Sequence, residues 1–274
     1  MRHPRIAAGA CSLLLAAACA FADPATAHVA PRTVAGGYVA LGDSYSSGAG
    51  AGDYLASGKE CKRSSRAFPV LWAEAHAPAS FTFAACNGAG ADDVLTDQLG
   101  HLGPGTGLVT LTAGGSDSGF VSVIASCALG GAEGCLSAVS RARTTMDGSL
   151  SGSLDRLYSA IRNRAPAARV VVLGYPHLYH LRGACALGLP DGERATLNDA
   201  VDHLNAVIAQ RAGAHGFTFA DVTAAFAGHE ICSSRPWLRG VDVLAITESY
   251  HPTAPGQSLG YLPVLTRVSG WKAG

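Results

Sequence analysis

Five short runs of apolar residues punctuate this chain, and a glycine-led or polar turn closes each one. Residues 38–41 run into Gly42-Asp43-Ser44, 81–85 into Cys86-Asn87-Gly88, 108–112 into Gly114-Gly115-Ser116-Asp117, 169–173 into Gly174-Tyr175-Pro176, and 217–220 into Asp221. Strands that read as continuous apolar runs are buried on both faces. The spacing between them predicts helices over 68–76, 121–129, 154–164, 194–212 and 255–268. Strands alternating with helices argue for a mostly parallel five-stranded sheet, and right-handed crossovers turn it into a three-layer α/β/α sandwich. The Gly/Ser patch over 148–153 is read as a loop between helices. No repeat, second domain or low-complexity linker interrupts the pattern.

A chain of 274 residues is long enough to bury one full core. Its first residues read differently from the rest. Arg2 and Arg5 lead into small and apolar residues over 6–22, with A-x-A sites at Ala20-Phe21-Ala22 and Ala25-Thr26-Ala27. This order predicts a secretory signal peptide over residues 1–22, or to 27 by the second site, followed by a single domain over 28–274. The run is shorter and richer in alanine than a membrane anchor of about 20 strongly apolar residues. No later stretch is expected to span a membrane. Cys11 and Cys19 fall inside the signal, leaving Cys61, Cys86, Cys127, Cys135, Cys185 and Cys232. An even set in an exported chain implies disulfides, whose pairing the spacing alone leaves open. No C-x-x-C occurs to suggest a zinc or redox site. Formal net charge is zero, and loss of Arg2 and Arg5 leaves 18 basic residues against 20 acidic. That balance argues against a nucleic-acid partner, which calls for a basic face.

Sites in open α/β sheets form beyond the carboxyl ends of the strands. Ser44, Asn87-Gly88 and Ser116-Asp117 each lie just past a strand and are expected on one rim. Ser44 is the candidate nucleophile, but a serine hydroxyl is weak until a base takes its proton. The base candidate is His251, in Glu248-Ser249-Tyr250-His251-Pro252. Pro252 disfavours helix at His251, which places the base in an extended loop. Glu248, three residues upstream, is placed to orient the imidazole through Nδ1. An unperturbed histidine of pKa about 6.5 would let activity climb between about pH 5.5 and 8. His177 and His180, flanking Tyr179, read as a polar pocket wall, since no third metal ligand is apparent. The run Gly48-Ala49-Gly50-Ala51-Gly52 matches no phosphate-binding pattern and is read as a flexible rim.

Four blocks in order resemble the GDSL (SGNH) hydrolases, and within them the secreted lipase and esterase group of actinomycetes. They are Gly42-Asp43-Ser44-Tyr45-Ser46-Ser47-Gly48, Cys86-Asn87-Gly88, Gly114-Gly115-Ser116-Asp117-Ser118-Gly119-Phe120 and Glu248-Ser249-Tyr250-His251-Pro252. Gly174-Tyr175-Pro176, His229-Glu230-Ile231-Cys232 and Trp237 fit as well. The resemblance covers nearly the whole chain after the signal and implies a flavodoxin-like sandwich of SGNH hydrolase type. It implies Ser44 as nucleophile and His251 as base, with an oxyanion hole from the Ser44 and Gly88 amides and a third-block side chain. The family has asparagine where this chain has Ser116, and aspartate where it has Glu248. A backbone carbonyl of the last block is the alternative to the Glu248 carboxylate, and Asp43 is expected to cap or brace the turn. The group's local pattern implies the disulfides Cys61–Cys86, Cys127–Cys135 and Cys185–Cys232.

The reading that follows is a secreted, extracellular serine esterase or lipase, a carboxylic-ester hydrolase working through an acyl-enzyme. It acts on lipid or other small ester substrates, needs no cofactor or metal, and is a monomer. The alternatives are a carbohydrate acetyl-esterase and an inactive binding protein on the same scaffold.

Overall fold

The computed structural model describes Met1 and residues 36–56, 59–183, 185 and 188–271. Apart from Met1, the expected signal peptide lies outside the described residues. In chain order the elements are β1 (Gly37–Gly42), α1 (Ser44–Ser47), α2 (Phe68–His76), β2 (Phe81–Phe83), α3 (Ala91–Asp93), β3 (Thr106–Thr112), α4 (Phe120–Thr145), α5 (Ser151–Arg164), β4 (Arg169–Leu173), α6 (Asp191–Ala214), β5 (Thr218–Ala220), α7 (Thr223–Phe226) and α8 (Leu262–Ser269). The five strands form one sheet in the order β2-β1-β3-β4-β5, and every adjacent pair is parallel. This is the parallel five-stranded sheet expected from the apolar runs, in the flavodoxin-like order that the family resemblance implied. The order reverses between β1 and β3, which makes their carboxyl ends the switch point where such sheets bind ligands.

Two helical layers cover the sheet, α2 packing with α8, and α4 and α5 with α6. The central strand β3 is buried at all seven positions. Helix α6 buries Leu197, Val201, Leu204 and Ile208, and on that same inner face Asn198 and Asn205. These two amides hold the chain that leaves β4. Asn205 accepts from Tyr175 N at 2.9 Å and donates to Tyr175 O at 2.8 Å. Asn198 accepts from Leu178 N and Tyr179 N at 3.1 Å each and donates to Tyr179 O at 2.8 Å.

Two expectations change. The patch over 148–153 is helical: a π turn over Met146–Leu150 runs straight into α5. Leu150 and Leu154 are buried one helical turn apart, so their packing overrides the weak propensity of Gly148 and Gly152. The resulting run, Phe120–Arg164, is also long and apolar enough to cross a membrane by length and composition. Its α4 portion nonetheless buries Val123, Cys127, Cys135, Ala138, Val139 and Ala142, and kinks at Gly131. Val121 and Leu129 of the same helix are exposed, as are Val241, Val243, Leu244 and Ile246 in the loop before His251.

Three disulfides join Cys61 to Cys86, Cys127 to Cys135 and Cys185 to Cys232, over sequence separations of 25, 8 and 47. The first ties the turn after β2 to the 59–66 segment, where Asn87 N also donates to Cys61 O at 2.9 Å. Closure entropy grows slowly with loop length, so each bridge is worth about 2.5 to 4 kcal/mol. Replacing both cysteines of one pair by serine should lower the urea midpoint in the order Cys185–Cys232, then Cys61–Cys86, then Cys127–Cys135. Midpoints in the reverse order would show that native-state strain, not chain entropy, sets the ranking.

Candidate active site

The turn after β1 is built around a buried carboxylate. Gly42 pairs with Thr112 at the end of β3, and Asp43 N donates to Thr112 O at 3.0 Å. Asp43 is the N-cap of α1, its Oδ1 accepting from Tyr45 N at 2.9 Å. The Thr112 hydroxyl donates to the same oxygen at 2.6 Å, and the Tyr175 hydroxyl donates to Oδ2. Tyr175 Oη in turn accepts from Gly115 N at 3.1 Å. One carboxylate thus braces the turns after β1, β3 and β4. Burial pushes its pKa up to about 6 against the pull of these hydrogen bonds. Gln98 completes the brace, accepting from Gly42 N at 2.8 Å and donating to Gly42 O at 2.9 Å.

Ser44 opens α1 at the top of this brace and is 8% exposed. Among the described residues neither its hydroxyl nor its backbone N–H has a hydrogen-bond partner. Gly88 lies in the turn after β2 at φ 84°, a left-handed conformation suited to glycine, and its N–H is likewise unpaired among the described residues. The third block is fixed through Asp117, whose carboxylate accepts from Ala91 N at 3.0 and 3.1 Å. Ser116 between them is exposed, and among the described residues its side chain makes no hydrogen bond.

His251 lies in the last loop beside α1. Its Nδ1 is 2.9 Å from Ser249 O, and its ring centroid is 5.4 Å from that of Tyr45. Burial drives the imidazole pKa down to about 4, although the carbonyls of Ser249 and Glu248 oppose the shift. The residue before it, Tyr250, has φ 66°, which costs a bulky side chain about 1–2 kcal/mol. The backbone is pinned from the 239 segment, with Tyr250 N donating to Arg239 O and Arg239 N to His251 O, both at 2.9 Å.

The Glu248 carboxylate does not meet the imidazole. It is held by Lys62 Nζ at 3.2 Å, Arg239 Nε at 3.6 Å and the Tyr54 hydroxyl. Burial would raise its pKa, but these partners outweigh it and hold the carboxyl below its ordinary value. The acceptor on Nδ1 is instead the Ser249 carbonyl, in line with the alternative of a backbone carbonyl from the last block, though sequence reasoning named no residue beyond Glu248 for it.

The Gly48–Gly52 run also departs from expectation. Residues 48–51 are buried rather than forming a mobile rim. A side chain on Gly50 (φ 88°) would stand 2.9 Å from His251 Cβ and 3.0 Å from Pro252 O. The Gly50 peptide is therefore a floor under the histidine, held by Tyr54 Oη on its N–H and Arg239 Nε on its carbonyl. His177 and His180 pair with Asp202 at 2.7 Å and Glu230 at 3.3 Å. Among the described residues no cluster of three or more potential metal ligands forms.

Comparison with known proteins accords with this geometry. Residues 40–259 match the GDSL-like lipase/acylhydrolase family. Lipase 1 of Streptomyces coelicolor is 54% identical over 97% of this chain and 98% of its own. The crystal structure of phospholipase A1 from Streptomyces albidoflavus NA297 superposes with a TM-score of 0.83 at 53% identity, over 85% of this chain and 99% of that one. That of the extracellular lipase from Streptomyces rimosus gives 0.82 at 52%, with the same coverage. The strand-end blocks, the parallel sheet and these relatives together place the chain in the GDSL-like lipase/acylhydrolase family, as a carboxylic-ester hydrolase.

Proposed function

We propose that this chain hydrolyses fatty-acyl esters through an acyl-enzyme on Ser44, with His251 as general base. The observation that carries the reading is an imidazole whose Nδ1 lies 2.9 Å from a backbone carbonyl, packed against the residue that follows Ser44 and its uncommitted hydroxyl. An Nδ1–H donated to Ser249 O leaves Nε2 free to accept a proton. His251 takes the Ser44 proton as Oγ attacks the ester carbonyl, and the oxyanion forms against the Ser44 and Gly88 amides. The imidazolium then protonates the leaving alcohol. Water, activated by the same histidine, releases the acid. Preorganised amides gain most where charge develops, and both N–H groups are uncommitted. The exposed Ser116 hydroxyl is a third, looser donor at the same rim. Fatty-acyl substrates are inferred from relatives named lipase and phospholipase A1 at over 50% identity. Export is inferred from the basic-apolar leader, three disulfides and a relative described as extracellular.

Three measurements test this. Ser44→Ala should lower kcat by roughly 10³ to 10⁶ on a soluble p-nitrophenyl ester. Activity above a tenth of wild type would remove Ser44 from the role.

The acid limb of kcat/KM should follow the lowered histidine pKa. A base acts in its neutral form, and His251 stays mostly neutral above about pH 4, so activity should hold well below 6.5 and fall through about 4. This replaces the climb from pH 5.5 to 8 expected of an unperturbed ring. Asp43 titrates near 6, and repeating the profile on Asp43→Asn assigns any inflection there. A single midpoint at 6.5 would contradict a buried base.

Glu248→Gln should leave kcat within about fivefold, because the carboxylate serves Lys62 and Arg239. A loss on the order of 10⁴, as when a triad acid is neutralised, would make Glu248 the orienting group.

A further inference from the structure

One hydrogen bond joins the residues next to the proposed nucleophile and base. Ser44 is followed by Tyr45, and His251 is preceded by Tyr250. Tyr45 Oη donates to the Tyr250 carbonyl at 2.7 Å, across 205 positions of sequence. No hydrogen bond links the reacting side chains directly among the described residues. Their relative placement therefore depends on what holds the two backbones together, and this bond is a direct tie between the residues that adjoin them.

Tyr45 is fixed before it reaches across. Its N–H donates to Asp43 Oδ1 at 2.9 Å, and its carbonyl accepts from Gln257 Nε2 at 3.1 Å. Its ring sits edge-on to Tyr175 at 5.0 Å and to Tyr261 at 6.2 Å. The residue is 9% exposed, so the hydroxyl has little freedom to seek water. Tyr250 is held from the other side, its Oη lying 2.9 Å from Tyr179 Oη. Tyr179 is itself clamped to α6 through Asn198. A left-handed backbone at a bulky residue persists only where its surroundings over-determine it. Here one tyrosine grips the Tyr250 carbonyl and another grips its side chain.

We propose that Tyr45 and Tyr179 are positioning residues for the ester-cleaving reaction, fixing the 250–251 peptide so that His251 meets both the Ser249 carbonyl and Ser44. This rests on the assignment of Ser44 and His251 above. In this role neither tyrosine acts on the ester itself. Their loss should act on the chemical step and leave binding alone, since a displacement of about 1 Å can cost on the order of 10²-fold in rate.

The test compares wild type, Tyr45→Phe, Tyr179→Phe and Ser44→Ala. Readouts are kcat and KM on a soluble p-nitrophenyl ester, the rate of labelling by a fluorophosphonate, and Tm. Tyr45→Phe keeps the ring and its packing while removing the one donor. It should lower kcat about 10- to 100-fold with KM within threefold, and slow labelling in proportion. Tyr179→Phe should show the same split at smaller size. If kcat stays within threefold of wild type in Tyr45→Phe, the proposal is overturned. A fall in Tm with kcat per folded molecule unchanged also overturns it, because the bond would then serve stability only. Should Tyr45→Phe fail to fold, Tyr179→Phe is judged alone by the same criteria. Wild type that labels at a residue other than Ser44 would instead sink the assignment of the nucleophile.

Discussion

A buried carboxylate is the joint on which the ends of this sheet depend. Asp43 accepts from a threonine of β3, a tyrosine that follows β4 and an amide of its own turn. Taking a charge out of water costs several kcal/mol unless its lone pairs are filled, and here the filling comes from three separate segments. The raised pKa shows that the offset is incomplete. In return, the turns carrying Ser44, Gly115 and Tyr175 share one point of reference. A parallel sheet fixes only the height at which its strands end. The side-chain network fixes how the loops beyond those ends face one another.

The proposed base, His251, is tuned by what its partner lacks. A carboxylate on Nδ1 would stabilise the imidazolium with a full charge, whereas a carbonyl offers only a dipole. In this loop the available carboxylate, Glu248, is already neutralised by Lys62 and Arg239. Burial then dominates, and the neutral ring is favoured. The same ion pairs brace the loop that positions the ring. Glu248 thus supports the histidine mechanically while contributing little to its charge.

Strands and strand-end residues were legible because each apolar run is continuous and each turn is marked by glycine or a short polar residue. Family resemblance then singled out Ser44 and His251 as the proposed pair among the serines and histidines, and the fold and family it implied are the ones found. What the sequence concealed are groups whose roles depend on partners far away in the chain. A backbone carbonyl of the last block is one of two expected partners for His251, but every residue has a carbonyl, so nothing marks Ser249 as the one that supplies it. Gly48 to Ala51 read as flexible because glycine permits motion, yet here it permits close approach to His251. The helical patch over 148–153 was hidden by weak propensity that packing overrode. Asn198 and Asn205 did leave a signal: polar residues two helical turns apart on the apolar stripe of α6 call for buried acceptors and donors.

The bond from Tyr45 to Tyr250 also has a temporal meaning. The serine turn forms from the first strand, but the loop that supplies the imidazole comes from the far end of the polypeptide. Contacts between such distant segments carry the largest closure entropy and are made late in folding. A chain whose last loop has not yet docked lacks the imidazole proposed to deprotonate Ser44, and the serine turn itself is braced only once β3 and the segment after β4 are in place. Catalytic competence in this architecture therefore reports completion of the whole domain.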